Sequence, residues 1–185
     1  MVDLVVLQSV SYLAAAISVI LYVTNLFISN KKDERNRRIA FTTNMLSTIR
    51  SKESYLDMMD MLNFTWSDLD DFIKKYDSKA DPSRAAQRAS VFDNYDTLGY
   101  LLKEGLVDPE TIYYNGGWIS VWLWVKFGKV IRAWRKLSVP ATWCQNLEYL
   151  AFEMWGILKM KDPTFITDQT QFPAGAYERA FSKPQ

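Results

Sequence analysis

The 185-residue sequence contains no histidine and a single cysteine, Cys144. The commonest general base and the commonest metal ligand are therefore missing. What remains for proton transfer or nucleophilic attack is carboxylates, a perturbed lysine, or one thiol. A lone cysteine also excludes an intrachain disulfide, a Cys-based zinc site and a Cys-ligated iron–sulfur cluster. Cys144 lies beside Trp143 near the start of an expected helix, where the dipole would lower its pKa. The simpler reading, a small buried hydrophobe, is preferred. Asp57/Asp60 and Asp93/Asp96 are carboxylate pairs at three-residue spacing on helices. A dinuclear carboxylate site in a bundle usually adds a Glu-x-x-His element, which this chain cannot supply, so the pairs read as solvated helix faces. There is no Gly-x-Ser-x-Gly elbow and no glycine-rich phosphate loop, and Gly116-Gly117 reads as a turn between helices. The inventory predicts a non-catalytic protein with no cofactor and no metal.

Charge distribution says more. Lys and Arg number 22 against 21 Asp and Glu, which excludes a generally basic nucleic-acid binder. The charges are segregated, however. Residues 53–110 hold thirteen acids and six bases, whereas residues 111–147 hold five bases and no acid. Those bases, Lys126, Lys129, Arg132, Arg135 and Lys136, are interleaved with Trp118, Trp122, Trp124, Phe127, Trp134 and Trp143. Three readings follow. Trp122, Val125 and Ile131 are core, and the basic stripe meets the acidic helices of the same domain. Alternatively the face is a docking site, built from Trp118, Trp122, Trp124, Lys126, Lys129, Arg132, Trp134 and Arg135, since Trp and Arg are enriched at interface hot spots. In the third reading the helix lies on an anionic membrane surface. Lys126 and Lys129 interrupt the apolar run too early for it to be a second membrane crossing.

The elements that position these residues begin with a membrane span. Residues 4–28 carry no charge. As a helix they would cover roughly 38 Å, against about 30 Å of bilayer hydrocarbon. Only Asp3 precedes the run, without the basic n-region of a signal peptide, so a retained single-pass anchor is expected. Lys31, Lys32, Arg35, Arg37 and Arg38 follow it directly. The positive-inside bias then places the N-terminus outside and the C-terminal bulk in the cytoplasm. Ser11/Ala15 and Ala14/Ser18 supply small residues at four-residue spacing, where another membrane helix could approach closely.

The remainder reads as all-α. Four regions are expected: an anchor over residues 1–30, a basic stem helix over 31–50, a helical bundle over 51–160 and an extended aromatic and proline-containing tail over 161–185. Within the bundle, helices are expected near 54–63, from a Thr65 or Ser67 cap through Tyr76, and from Pro82 to Gly105. Others should run from Asp108-Pro109-Glu110 to the glycine pair, over 118–137, and from Thr142 or Asn146 to before Pro163. No alternating run suggests a sheet. The tail spaces Phe165, Phe172, Tyr177 and Phe181 between prolines, and reads as a segment that needs something to pack against.

The block LGYLLKEGLVDPETIYYNGGWISVWLWVKFGKVIRAWRK, residues 98–136, resembles an uncharacterised membrane-anchored helical family, domain of unknown function 4760. The stem RNRRIAFTTNMLSTIRS is similar to that family's as well. The likeness spans roughly residues 35–137 and implies topology and fold while transferring no catalytic residue. Together these features lead to the expectation of an accessory or scaffold subunit in a larger membrane assembly, a respiratory or monooxygenase-like complex being a natural host. Its partners would be other integral-membrane subunits and membrane lipid, not nucleic acid or metal. The alternative is an independent membrane-tethered binding or signalling module.

Overall fold

The computed structural model describes residues 4–137, 139–164 and 175–181. All the regular structure among them is helical, as expected. The chain divides into two compact units, Met1–Thr42 and Thr43–Gln185, each taken by itself below.

The first unit is the greater part of α1, Leu4–Ile49. Its large apolar side chains from Tyr12 to Ile28 are between 42% and 68% exposed. Two hydroxyls in this stretch turn back on the helix. Ser18 Oγ donates to the Ala14 carbonyl and Thr24 Oγ1 to the Ile20 carbonyl, each at 2.8 Å. Such bonds satisfy a hydroxyl without water or a partner. The helix is long and apolar enough to cross a membrane near the N-terminus.

The second unit starts with the last turns of α1, where Leu46 and Ile49 are buried. The expected stem therefore ends inside the bundle rather than before it. Local punctuation sets most of the helices that follow. Ser51 caps α2, Lys52–Leu62, by accepting from Ser54 N at 3.1 Å. The cap of α3, Leu69–Tyr76, is Asp68 rather than Thr65 or Ser67. Asp68 accepts from Asp71 N at 2.9 Å while Asp71 accepts from Ser67 N at 3.0 Å, a reciprocal arrangement of the capping-box kind. Lys75 and the Ser67 N–H hold the Asp71 carboxyl below its usual range. Asp81 and Pro82 open α4, Pro82–Lys103. It closes with Gly105 at φ +65°, as Leu106 N reaches the Leu101 carbonyl and Gly105 N that of Leu102, a Schellman ending. Asp108 caps the single turn α5, Pro109–Ile112. The chain then kinks through Tyr113–Gly117, with Gly116 at φ +90°, before α6, Ile119–Leu137. Next come α7, Gln145–Lys161, and α8, Ala176–Phe181.

The main helix contact is α4 against α7, and α6 also packs on α7. Gly99 makes the first contact possible. A Cβ there would sit 2.0 Å from the Asn146 carbonyl oxygen. Beside it, Asp96 of α4 caps the first turn of α7. Its carboxylate accepts from Asn146 N at 2.9 Å, Leu147 N at 2.8 Å and Asn146 Nδ2 at 3.1 Å. Cys144, in the cap position itself, has φ +53° and gives no side-chain bond. Asp96 is thus not a solvated carboxylate. It supplies from another helix the negative group that a helix N-terminus favours.

Candidate interaction surface

The aromatic residues of α6 face inward because the apolar positions of the helix recur on one side. Trp124 is 1% exposed and Trp134 8%. Trp134 lies edge-on to Phe72 at 5.5 Å and tilted against Trp143 at 5.6 Å, while Phe127 contacts Phe92 and Trp66, each at 5.4 Å. Arg88 is buried within this cluster. Its guanidinium lies 4.6 Å from the Trp134 ring centroid and its Nη1 donates to the Tyr76 carbonyl at 2.6 Å. Burial lowers the Arg88 pKa, opposed by nearby Asp77. The docking and membrane-surface readings both required Trp124 and Trp134 outside. Both are core, Trp134 lying against Phe72 of α3 and Arg88 of α4; of the three residues that the core reading named, Ile131 is fully buried while Trp122 and Val125 are half-buried.

The basic stripe meets a different partner from the one expected. Arg132 Nη2 donates to Glu148 at 3.0 Å, and Arg135 Nη1 donates to the other oxygen of the same carboxylate. Arg135 Nε also reaches the Trp143 carbonyl at 2.7 Å. Glu148 belongs to α7, the first acid after the acid-free stretch, whereas the acid-rich helices are α2 to α4. Both guanidiniums lie near Trp124, at 4.9 and 6.0 Å from its ring. Lys126 is half-buried over Trp66 at 5.0 Å, and burial pulls its pKa down. Lys129 is exposed.

Trp118 and Trp122 are half-buried and edge-on to each other at 4.7 Å. Trp118 helps line a cleft of about 390 Å³ with Arg50, Tyr55, Tyr95, Tyr114 and Asn115. Arg50 Nη1 donates to Asn115 Oδ1 at 3.1 Å across it. Burial raises the Tyr95 pKa, keeping that hydroxyl protonated. Sequence reasoning passed over this cleft, because its residues come from α1, α2, α4 and the kink, with no shared spacing.

The described end of the tail, α8, packs on α7. Tyr177 stacks on Trp155 at 5.3 Å, and Phe181 stacks on the same indole at 4.9 Å while meeting Phe152 edge-on at 5.0 Å. The described part of this expected extended segment is helical. Phe165 and Phe172 lie outside the described residues. Ser11, Ala15 and Ser18 are exposed on α1.

The polar residues that might have carried chemistry are otherwise engaged. Asp57 and Asp60 both accept from Gln87 Nε2 at 3.2 Å. Burial raises the Asp93 carboxyl, reinforced by Asp96. Cys144 is buried, and its thiol is pushed up by that burial first and by Asp96 next, so the expected dipole effect does not prevail. Among the described residues, no three Cys, Asp or Glu side chains gather as a metal site.

A family model for a domain of unknown function (DUF4760) matches residues 12–154. The chain belongs to this family. The DUF4760 match extends beyond the stretch whose resemblance was evident, taking in most of the apolar part of α1 and α7 as far as Met154. Both compact units thus contain family sequence, while α8 lies beyond it. Comparison with curated proteins and with solved structures finds no match.

Proposed function

We propose that this DUF4760 protein is a non-catalytic, single-pass accessory or scaffold subunit of a larger integral-membrane assembly, with its helical bundle on the cytoplasmic side. The observation that carries the reading is the apolar surface of α1. From Tyr12 to Ile28 the helix leaves every one of its large apolar side chains open, a surface that a chain in water would cover and that lipid tails or neighbouring membrane helices accept. The five cations among residues 31–38 support the orientation. The absence of a catalytic role is supported by the use of the polar groups: Asp68, Asp81, Asp96 and Asp108 cap helices, and Cys144 is a buried thiol.

The test is extraction in a mild detergent followed by native mass measurement. The reading expects stoichiometric co-migration with other integral-membrane proteins. A lone monomer or homodimer would reject the subunit role and favour the second reading, a membrane-tethered binding module. The specific observation favouring that alternative is the aromatic cleft beside Arg50 and Trp118.

A further inference from the structure

A second, smaller cleft of about 190 Å³ lies between α6 and α8. Its α6 wall carries Trp124, Gly128, Lys129 and Arg132. Its α8 wall carries Ala176 and Arg179. Three cationic side chains line the cleft, and no carboxylate does; Glu148 and Glu178 both lie outside the lining.

Around Arg132, Arg135 and Trp124, donors outnumber acceptors. Arg132 and Arg135 share the single carboxylate of Glu148, which leaves one positive charge of that trio uncompensated. Arg135 Nη2 is buried without an acceptor, and so is the indole Nε1 of Trp124, itself a wall residue. Lys129 makes no ion pair with the described residues. Gly128 keeps the floor low, since a Cβ there would press on the Trp124 ring at 3.0 Å. Buried donors normally find acceptors, and guanidinium groups suit oxyanions geometrically. At about 30 Å³ per water, the volume takes a phosphate group with its substituent directed outward.

We propose that this cleft binds a phosphate-type oxyanion through Lys129, Arg132 and Arg179. The group is borne either by free phosphate or by the headgroup of an anionic lipid. The site is independent of the subunit role proposed above.

The experiment uses the full chain in zwitterionic detergent, titrated with inorganic phosphate against chloride at matched ionic strength and followed by calorimetry. Saturable binding is expected, with the dissociation constant raised about tenfold in K129Q and in R179Q and unchanged in K103Q. Lys129 is exposed, so K129Q decides the matter even if R179Q loosens α8. A second arm repeats the phosphate titration in nanodiscs of phosphatidylcholine with and without phosphatidic acid. Weaker apparent phosphate binding in the presence of phosphatidic acid identifies the lipid headgroup as the source. Equal binding in both identifies free phosphate. Non-saturable heats, an identical response to chloride, or wild-type affinity in K129Q would overturn the proposal.

Discussion

Gly99→Ala tests the packing of the bundle at its tightest point. An alanine Cβ at this position would lie 2.0 Å from the Asn146 carbonyl oxygen and 2.5 Å from its carbon, against a practical minimum of 3.0 Å. Both are backbone atoms, so no rotamer change relieves the clash, and the first turn of α7 must retreat from α4 by the 1.0 Å difference between those two distances. The Asp96 bonds to Asn146 N and Leu147 N, now 2.9 and 2.8 Å, would then exceed hydrogen-bonding length. Losing two bonds to a charged acceptor costs about 1.5–3 kcal/mol each. Loosened packing of Leu98, Leu147 and Leu150 adds to this, while alanine's helix propensity returns about 1 kcal/mol. The net loss is roughly 2–5 kcal/mol before the packing loss is added, or about 10 °C in Tm for a domain of this size. Urea and thermal unfolding of the full chain in detergent, followed by far-ultraviolet circular dichroism, would measure it. Gly156→Ala is the control. It lies in α7 with nothing within 4 Å of the added carbon, and should be neutral or stabilising by up to about 1 kcal/mol. A Gly99→Ala protein as stable as wild type would refute the α4–α7 contact.

Other outcomes follow from the same geometry. Asp96→Ala should cost about 2–4 kcal/mol by unmaking the cap of α7, and the Gly99→Ala/Asp96→Ala double variant should cost less than the sum, because the first change already breaks those bonds. Arg88→Lys should lose about 1.5–3 kcal/mol in urea unfolding, since an ammonium cannot reproduce a planar group that spans the Trp134 face and the Tyr76 carbonyl. Cys144 should resist alkylation at pH 8 in the folded protein and react once unfolded; its thiol titrates above the ordinary 9.0, so the native state keeps a proton that the unfolded chain releases. That contribution to stability is present below pH 9 and is lost as pH rises above it, a dependence that Cys144→Ala should remove. Rapid native-state labelling would contradict the burial.

The sequence carries some of these features openly and conceals others. Asp108-Pro109, Asp81-Pro82 and the glycine pair act through neighbours a few residues away, so their helix boundaries can be read directly. The uncharged run of residues 4–28 is visible for the same reason. Asp96, Gly99 and Glu148 act across helices, on partners from thirteen to some fifty residues distant, and no local pattern marks them. Asp96 looked like half of a solvated pair because the N–H groups that donate to it belong to a helix that arrives later in the chain. The stripe on α6 was legible as amphipathic but not as to which face was buried. Tryptophans interleaved with basic residues suit a core and an interface alike until α7 supplies Glu148. The second cleft depends on α8 packing beside α6, which spacing within the tail does not specify.

The proposed crossing of a bilayer by α1, with the C-terminal residues on the cytoplasmic side, is open to a topology measurement. Protease is added to sealed vesicles of both orientations that carry the full chain with a C-terminal epitope, and a separate portion of the membranes is washed with alkaline carbonate. The protein is expected to remain with the membrane in the wash, and protease to remove the epitope from inside-out vesicles but not from right-side-out ones. Release of the intact chain into the wash as a soluble monomer, or digestion with the opposite sidedness, would contradict it.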